Sequence, residues 1–305
     1  MGFLGPAGTF TEEALFSDPE LAAAQHVALG SFGEVLEAVE NGSVDIGFVA
    51  LENSIEGTVM VALDKLIFEH DLWVVGEVVI SITQNLVGIP GTRWSEIKRV
   101  VSFPVATAQC RRWMEANIPR VEEVAATSTA EAVRQVRDAG DPSTAAIGPA
   151  LAADRYGLAV LASGIEDHDG NQTRFVALAR PEAGIPQPSG HDKTSVVCFQ
   201  SSDRPGSLQR ILGQFASRDI NLVKLESRPT KRGLGEYCFI IDFEGHVDDE
   251  VVADCLRDLH ATLADLKFLG SYPAAGEHGE AARRDAHESW KQADAWIAGI
   301  RAKMR

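Results

Sequence analysis

No stretch of the 305-residue chain comes near the roughly 18 consecutive apolar residues that a membrane-spanning helix needs. Its first residues, Met1-Gly-Phe-Leu-Gly-Pro6, carry neither the basic start nor the apolar core of a secretion signal, so a cytoplasmic protein is expected. Cysteine is scarce: Cys110, Cys198, Cys238 and Cys255 are widely spaced with no Cys-x-x-Cys, which suits reduced core thiols rather than disulfides or zinc. Basic residues are outnumbered, 28 Lys and Arg against 44 Asp and Glu, for a net charge of −16. Such a field repels nucleic acid and anionic membranes, so neither is an expected partner, and any anionic small molecule must be held by local groups. The chain also has no P-loop, no dinucleotide fingerprint and no metal-ligand spacing.

What remains is an ordinary globular composition, 45% hydrophobic, at a length that suits two domains. After a short apolar start at Phe3-Leu4, the turn Gly5–Thr11 leads into a helix that Thr11 can cap. Ser31-Phe-Gly-Glu34 forms a capping box for a helix stopping at Asn41-Gly42, and a buried strand is expected over Val44–Ala50, with Glu52-Asn53-Ser54 next. A helix over Val59–Phe68, strands within Leu72–Ile89, a turn capped by Ser95 and a strand over Arg99–Phe103 follow. Pro104 opens a helix running through Gln109, Trp113 and Met114 to Pro119. Val121–Ala126 is a strand, Ser128-Thr-Ala-Glu131 a second capping box, and strands Ala145–Gly148 and Ala159–Ile165 flank one more helix. This alternation predicts an α/β domain with largely parallel sheets in two lobes, ending near residue 180.

The stretch 181–192, rich in proline and glycine, reads as a linker. Beyond it strand Thr194–Gln200, helix Gly206–Ser217, strands Leu222–Glu226 and Tyr237–Phe243, helix Glu250–Ala264 and strand Lys267–Tyr272 give the ferredoxin-like order βαββαβ within 193–273. In the tail, 274–305, Ala282, Ala286, Trp290, Ala293, Ile297, Ile300 and Met304 make one apolar helical stripe, expected to dock on its own chain or a subunit.

If the strands are parallel, their carboxyl ends gather the turns at Gly5–Thr11, Glu52–Ser54, Ser102–Gln109, Thr127–Thr129 and Asn171–Arg174 around one crevice. Several of these turns open helices, whose N-terminal N–H groups bind carboxylates without many basic side chains. These same residues resemble a known family. Gly5-Pro-Ala-Gly-Thr-Phe-Thr11, Glu52-Asn-Ser54, Ser102 with Gln109 seven residues on, and Asn171-x-Thr-Arg-Phe175 look like the ordered motifs of prephenate dehydratases, while Asp203-Arg-Pro-Gly-Ser-Leu208 and Glu226-Ser-Arg-Pro229 resemble the phenylalanine-binding motifs of their ACT domains.

The resemblance, which covers residues 1 to about 273, implies an α/β fold: a bilobal dehydratase domain like type II periplasmic binding proteins over 1–180, then a ferredoxin-like βαββαβ ACT domain over 193–273. It implies a cytoplasmic carbon–oxygen lyase of phenylalanine biosynthesis, converting prephenate to phenylpyruvate without metal or organic cofactor and inhibited by phenylalanine. Thr173 would donate to the leaving hydroxyl and Arg174 would orient a substrate carboxylate, with Asn53, Ser102 and Gln109 beside them. Thr9, Glu52, Ser54, Ser128, Thr129, Asn171 and Phe175 would complete the substrate pocket. Gly206, Ser207, Leu208, Asn221, Glu226, Ser227 and Arg228 would hold phenylalanine, and ACT pairing would give a homodimer or homotetramer. With no chorismate mutase segment read before Gly5, the resemblance leads to the expectation of the monofunctional form of the family. The sequence departs from the family at Phe103, where many relatives carry His, and His168 beside Glu166, Asp167 and Asp169 reads as a solvated loop residue. Arogenate dehydratase, which differs by one substituent of the substrate, and a non-catalytic amino-acid-sensing protein are the alternatives.

Overall fold

A computed structural model of the chain describes residues 1–200, 204–231, 233, 235–275, 296, 299, 301 and 302. The apolar stripe from Ala282 to Met304 and Asp203 of the phenylalanine motif lie outside the described residues. The chain divides into two compact units, one made of Met1–Lys65 and Val78–Val176, the other of Leu66–Glu77 with the chain from Ala177 on.

From its start the chain forms β1 (Gly2–Leu4), α1 (Phe10–Ser17), α2 (Pro19–Ala22), β2 (Val27–Leu29), α3 (Phe32–Glu40), β3 (Gly47–Asn53), β4 (Gly57–Thr58) and α4 (Met60–Phe68). It continues through β5 (Trp73–Ser81), β6 (Asn85–Gly88), β7 (Arg99–Ser102), α5 (Pro104–Gln109), α6 (Arg111–Asn117), β8 (Glu122–Ala125), α7 (Thr129–Ala139), β9 (Thr144–Gly148), α8 (Ala150–Tyr156), β10 (Ala159–Ser163) and β11 (Gln172–Ala179). Two sheets result: one in the order β2-β1-β3-β11-β5 with β4 on β3, and one in the order β10-β6-β9-β7-β8. The two-sheet α/β design matches the expectation of two lobes. Strand direction matches it only in part, since β1 pairs parallel with β2 and β3, and β7 with β8 and β9, whereas β6 runs antiparallel to both β9 and β10.

Local chemistry explains most elements. Ser31 and Ser128 accept from the backbone N–H of Glu34 and Glu131 at 3.2 and 3.0 Å, so both expected caps form. Three expectations need correction. The cap of α1 is Thr9, which accepts from the Glu12 N–H, while Thr11 lies buried inside the helix. The turn Trp94–Glu96 is closed by Arg93, whose N–H donates to Glu96 Oε2 at 3.0 Å, rather than by Ser95. The helix opened by Pro104 does not run on to Pro119: Cys110, at φ −112° and ψ 12°, breaks it into α5 and α6. Around the second sheet Leu86, Val100, Ala145, Ile147 and Ile165 close one face and Val87, Val101, Val133 and Ala146 the other, so its inner strands β6, β9 and β7 are buried on both sides.

The second unit contains β12 (Asp192–Phe199), α9 (Ser207–Ala216), β13 (Leu222–Pro229), β14 (Tyr237–Glu244), α10 (Glu250–Thr262) and β15 (Asp265–Pro273). The sheet order β13-β14-β12-β15 with both helices on one core is the ferredoxin-like arrangement. The segment Leu66–Glu77 belongs to this unit through contacts that sequence order hides: Lys267 Nζ donates to the carbonyls of Leu66, Ile67 and His70 at 2.8, 3.0 and 2.7 Å, and Lys193 pairs with the buried Glu77 at 2.7 Å. The ammonium thereby satisfies carbonyls at the end of α4 that no helical N–H reaches.

Candidate active site

The mouth of β11 lies against the end of β3. Ser54 N–H donates to Gln172 O at 2.8 Å and its hydroxyl accepts from Gln172 N–H at 2.9 Å, so the start of one strand is stitched to the end of the other. Consecutive strand residues face opposite sides; accordingly Asn53 meets Thr173, while Glu52 meets Arg174 at 3.5 Å. Phe175 is buried and stacks on Phe48, ring centroids 5.6 Å apart, which fixes the strand beneath the site.

Asn53 is the centre of the network. Its Oδ1 accepts the N–H groups of Ile55 and Glu56, both at 3.0 Å, and because those partners only donate, the orientation of the amide is set. Its Nδ2 then donates to Asn171 Oδ1 at 2.7 Å, Thr173 Oγ1 at 2.9 Å and Gln172 O at 3.1 Å. Thr173 Oγ1 is thus an acceptor toward Asn53, which leaves its own hydrogen to be donated elsewhere. From Asn171 the network continues toward the second sheet: Asn171 Nδ2 donates to Gln109 Oε1 at 3.3 Å, and Gln109 Nε2 donates to Glu56 Oε1 at 3.2 Å. Gln109 ends α5, beside the second sheet, whereas Asn53 and Thr173 belong to the first. Asn53, Gln109, Asn171 and Thr173 of the expected site therefore form one hydrogen-bonded chain, with Ser54 and Arg174 at its edges.

Other expected residues sit apart from this chain in their recorded bonds. Ser102 is fully buried at the end of β7 and donates to Ile147 O at 2.7 Å, tying β7 to β9. Thr9 and Ser128 are occupied in capping α1 and α7, and Thr129 is the first residue of α7. The loop at Thr9 is held by Glu12, a buried carboxylate that accepts Gly8 N–H at 2.5 Å and pairs with Arg155 at 2.7 Å. Gly8 has φ +88° and a Cβ there would stand 3.1 Å from Ala152 Cα, so only glycine suits this approach.

Sequence reading missed Glu56, in the turn that follows β3, and Asp167, named only as a neighbour of the solvated His168. The carboxylate of Asp167 accepts the N–H groups of Arg112 and Trp113 at 2.9 and 3.1 Å, and its own N–H donates to Gln109 O at 2.7 Å. The cue appears only with the structure, where α6 starts at Arg111 with no capping side chain of its own. The thiol of Cys110, at the same corner, is pushed up to about 12 by burial first and by the carboxylates of Glu166 and Asp167 after it. Among the described residues no group of three or more His, Cys, Asp and Glu is arranged to hold a metal ion, and no helix is long and apolar enough to cross a membrane.

In the second unit Gly206, at φ +84°, opens α9, and the Ser207 hydroxyl donates to Arg204 O at 2.7 Å. Leu208 packs on the core, and Asn221 O accepts Glu244 N–H at 2.9 Å. Glu226, Ser227 and Arg228 lie on β13, the outer strand of its sheet, with Glu226 3.6 Å from Lys224 Nζ.

The family model of prephenate dehydratase matches residues 1–183 and that of the ACT domain residues 194–261. The prephenate dehydratase of Mycolicibacterium vanbaalenii is 38% identical over 314 residues, which span 99% of this chain and 98% of the relative. Among solved structures, prephenate dehydratase from Arthrobacter aurescens in complex with L-Phe superposes with a TM-score of 0.85 at 39% identity, covering 98% of both chains. A protein described as a novel type of quorum-quenching acylase, GqqA, superposes at 0.80 with 30% identity, covering 90% of this chain and 97% of its own. The family match over more than half the chain, with full-length relatives near two-fifths identity, shows that this chain belongs to the prephenate dehydratase family and carries an ACT domain after its dehydratase region.

Proposed function

We propose that the Asn53–Thr173 cleft converts prephenate to phenylpyruvate. The ring C–C bond to the carboxylate breaks, its electron pair enters the ring as aromaticity is gained, and the ring C–O bond breaks on the other side. Carbon dioxide leaves, and the hydroxyl departs as water by taking one proton from solvent. The observation that carries this reading is the 2.9 Å bond from Asn53 Nδ2 to Thr173 Oγ1, which leaves the Thr173 hydrogen to be donated to the leaving oxygen. A threonine is too weak an acid to give up its proton outright, so its part is hydrogen-bond stabilisation of the departing oxygen. Arg174 supplies positive charge for a substrate carboxylate, which suits a protein whose net charge of −16 otherwise repels one. Gln109, Asn171 and Ser54 shape the pocket, with Thr9, Ser102, Ser128 and Thr129 supporting its walls and Glu52 steering Arg174.

Phenylalanine regulates the enzyme at the turn Gly206–Leu208 with Asn221 and Glu226–Arg228, in line with the ligand of the Arthrobacter relative. The outer strand β13 exposes Val223 and Leu225, an apolar edge suited to pairing with a second copy in a dimer or tetramer. We assign 1–180 to catalysis, 181–192 to the linker, 193–273 to regulation and 274–305 to a tail. The four cysteines, free and buried, suit a cytoplasmic setting.

The test is turnover of prephenate and of arogenate by wild type and Thr173→Ser and Thr173→Val. Prephenate turnover, kept in part by Ser and lost by about 10² or more in Val, is the expected result. Equal turnover in Val removes Thr173 from the mechanism, and preference for arogenate moves the substrate assignment.

A further inference from the structure

Gln109 stands at a corner that its own helix does not hold. Helix α5 ends with it, Cys110 leaves helical geometry, and α6 starts with no capping side chain from its own stretch of sequence. The first N–H groups of α6 would be orphaned there. They are met from 55 and 54 residues away, by Asp167: Oδ2 accepts Arg112 N–H at 2.9 Å and Oδ1 accepts Trp113 N–H at 3.1 Å. In the other direction Asp167 N–H donates to Gln109 O at 2.7 Å. One residue thus grips both sides of the corner by three bonds.

Asp167 also belongs to the loop that delivers the catalytic strand. Four residues on, Asn171 donates to Gln109 Oε1 and accepts from Asn53, and its carbonyl accepts Ile82 N–H at 2.7 Å. Just before it, Glu166 accepts Gln84 N–H at 2.8 Å. The loop is therefore anchored at 166, 167 and 171, and the anchor at 167 grips the main chain of the helix corner while Asn171 meets the Gln109 side chain. We infer that Asp167 is a positioning residue for the reaction: by capping α6 and holding the Gln109 carbonyl, it sets the distance between the Gln109 amide and the Asn171–Thr173 mouth of β11. A carboxylate suits the task because it takes two N–H groups at once and is stabilised at a helix start.

The inference rests on the reading of Gln109 as part of the dehydratase site, and the experiment separates the two. Turnover of prephenate is measured in Gln109→Ala, Asp167→Ala, Asp167→Asn and the two doubles with Gln109→Ala, each checked for folding by circular dichroism and thermal melting. Displacing an aligned group by a fraction of an ångström to an ångström is worth up to about 10² in rate. Asp167→Ala is therefore expected to lower kcat by about tenfold to 10²-fold, and Asp167→Asn, which keeps one accepting oxygen, to recover part of that loss. In the Gln109→Ala background either change should add no more than about twofold. Losses that multiply with that of Gln109→Ala, or an Asp167→Ala enzyme as fast as wild type, overturn the inference. Wild-type turnover in Gln109→Ala overturns instead the reading of the site. Should the Ala variant not fold, the cycle with Asp167→Asn decides by the same criterion.

Discussion

Replacing Asn53 by aspartate changes one atom's chemistry at the centre of the cleft and almost nothing of its shape. The Oδ1 that accepts from Ile55 and Glu56 is kept, so the turn after β3 should survive. The other end inverts: Nδ2, which gives its two hydrogens to Asn171 Oδ1, Thr173 Oγ1 and Gln172 O, becomes an oxygen facing three oxygens. Two of these, an amide oxygen set by the network and a main-chain carbonyl, cannot donate in reply. Losing two donations at about 1 kcal/mol each, and leaving their acceptors unmet, makes a stability cost of about 2–3 kcal/mol. Thr173 alone can adapt, by turning its hydrogen to the new carboxylate and away from the substrate. A lost hydrogen bond to a developing charge costs about 10²–10³ in turnover, and that is the fall in kcat expected for Asn53→Asp. Thr173→Val should fall as far, and the double variant little further, because both remove the same donated hydrogen. Activity of Asn53→Asp should also rise as pH falls through the range of the introduced carboxyl, which donates again once protonated. Phenylpyruvate absorbance in alkali gives the rates and urea titration the stability. A folded Asn53→Asp enzyme with wild-type kcat would refute the assignment of donor and acceptor at Thr173.

Gly8→Ala forces a side chain at φ +88° against the Ala152 backbone, so unfolding should become easier by about 1–3 kcal/mol; a variant as stable as wild type in urea would contradict that geometry. The thiols of Cys110, Cys198 and Cys255 are each pushed up to about 12, chiefly by burial, so a disulfide reagent at mildly alkaline pH should reach them only after denaturation. Asp254 is held below its ordinary range mainly by the hydrogen bond from Arg218, so this stabilisation is present above the usual carboxylate value of about 3.9 and is lost as pH falls through the lower folded value. Arg218→Met should therefore be less stable than wild type at neutral pH, with the gap closing below about pH 4; a gap that stays constant to lower pH would count against it.

What was legible in the sequence was local. Ser31 and Ser128 cap as read because Ser and a Glu three residues on need no distant partner, and the βαββαβ order of the second unit follows from period and punctuation alone. The choice of Thr9 over Thr11 turned on where the chain enters α1, at Phe10, since both threonines are buried. The antiparallel course of β6 was likewise invisible, since strand direction is set by where the chain returns. The Cys110 break has no sequence signal within its own helix, because it is closed by Asp167 from another loop. In the site, the motifs at Asn53, Gln109, Asn171 and Thr173 named residues that the fold does join by hydrogen bonds. They could not say which atom donates to which, nor that Ser102 turns its hydroxyl into the sheet.

The central claim is that a hydrogen held ready on Thr173 serves a dehydration that phenylalanine controls from the ACT domain. It is tested most directly by the turnover of prephenate by wild type and Thr173→Val, each with and without phenylalanine. Wild type is expected to form phenylpyruvate, suppressed by phenylalanine, and the variant to lose turnover by about 10² or more. Wild-type turnover in a folded Thr173→Val enzyme, or no phenylpyruvate from the wild type, would contradict it.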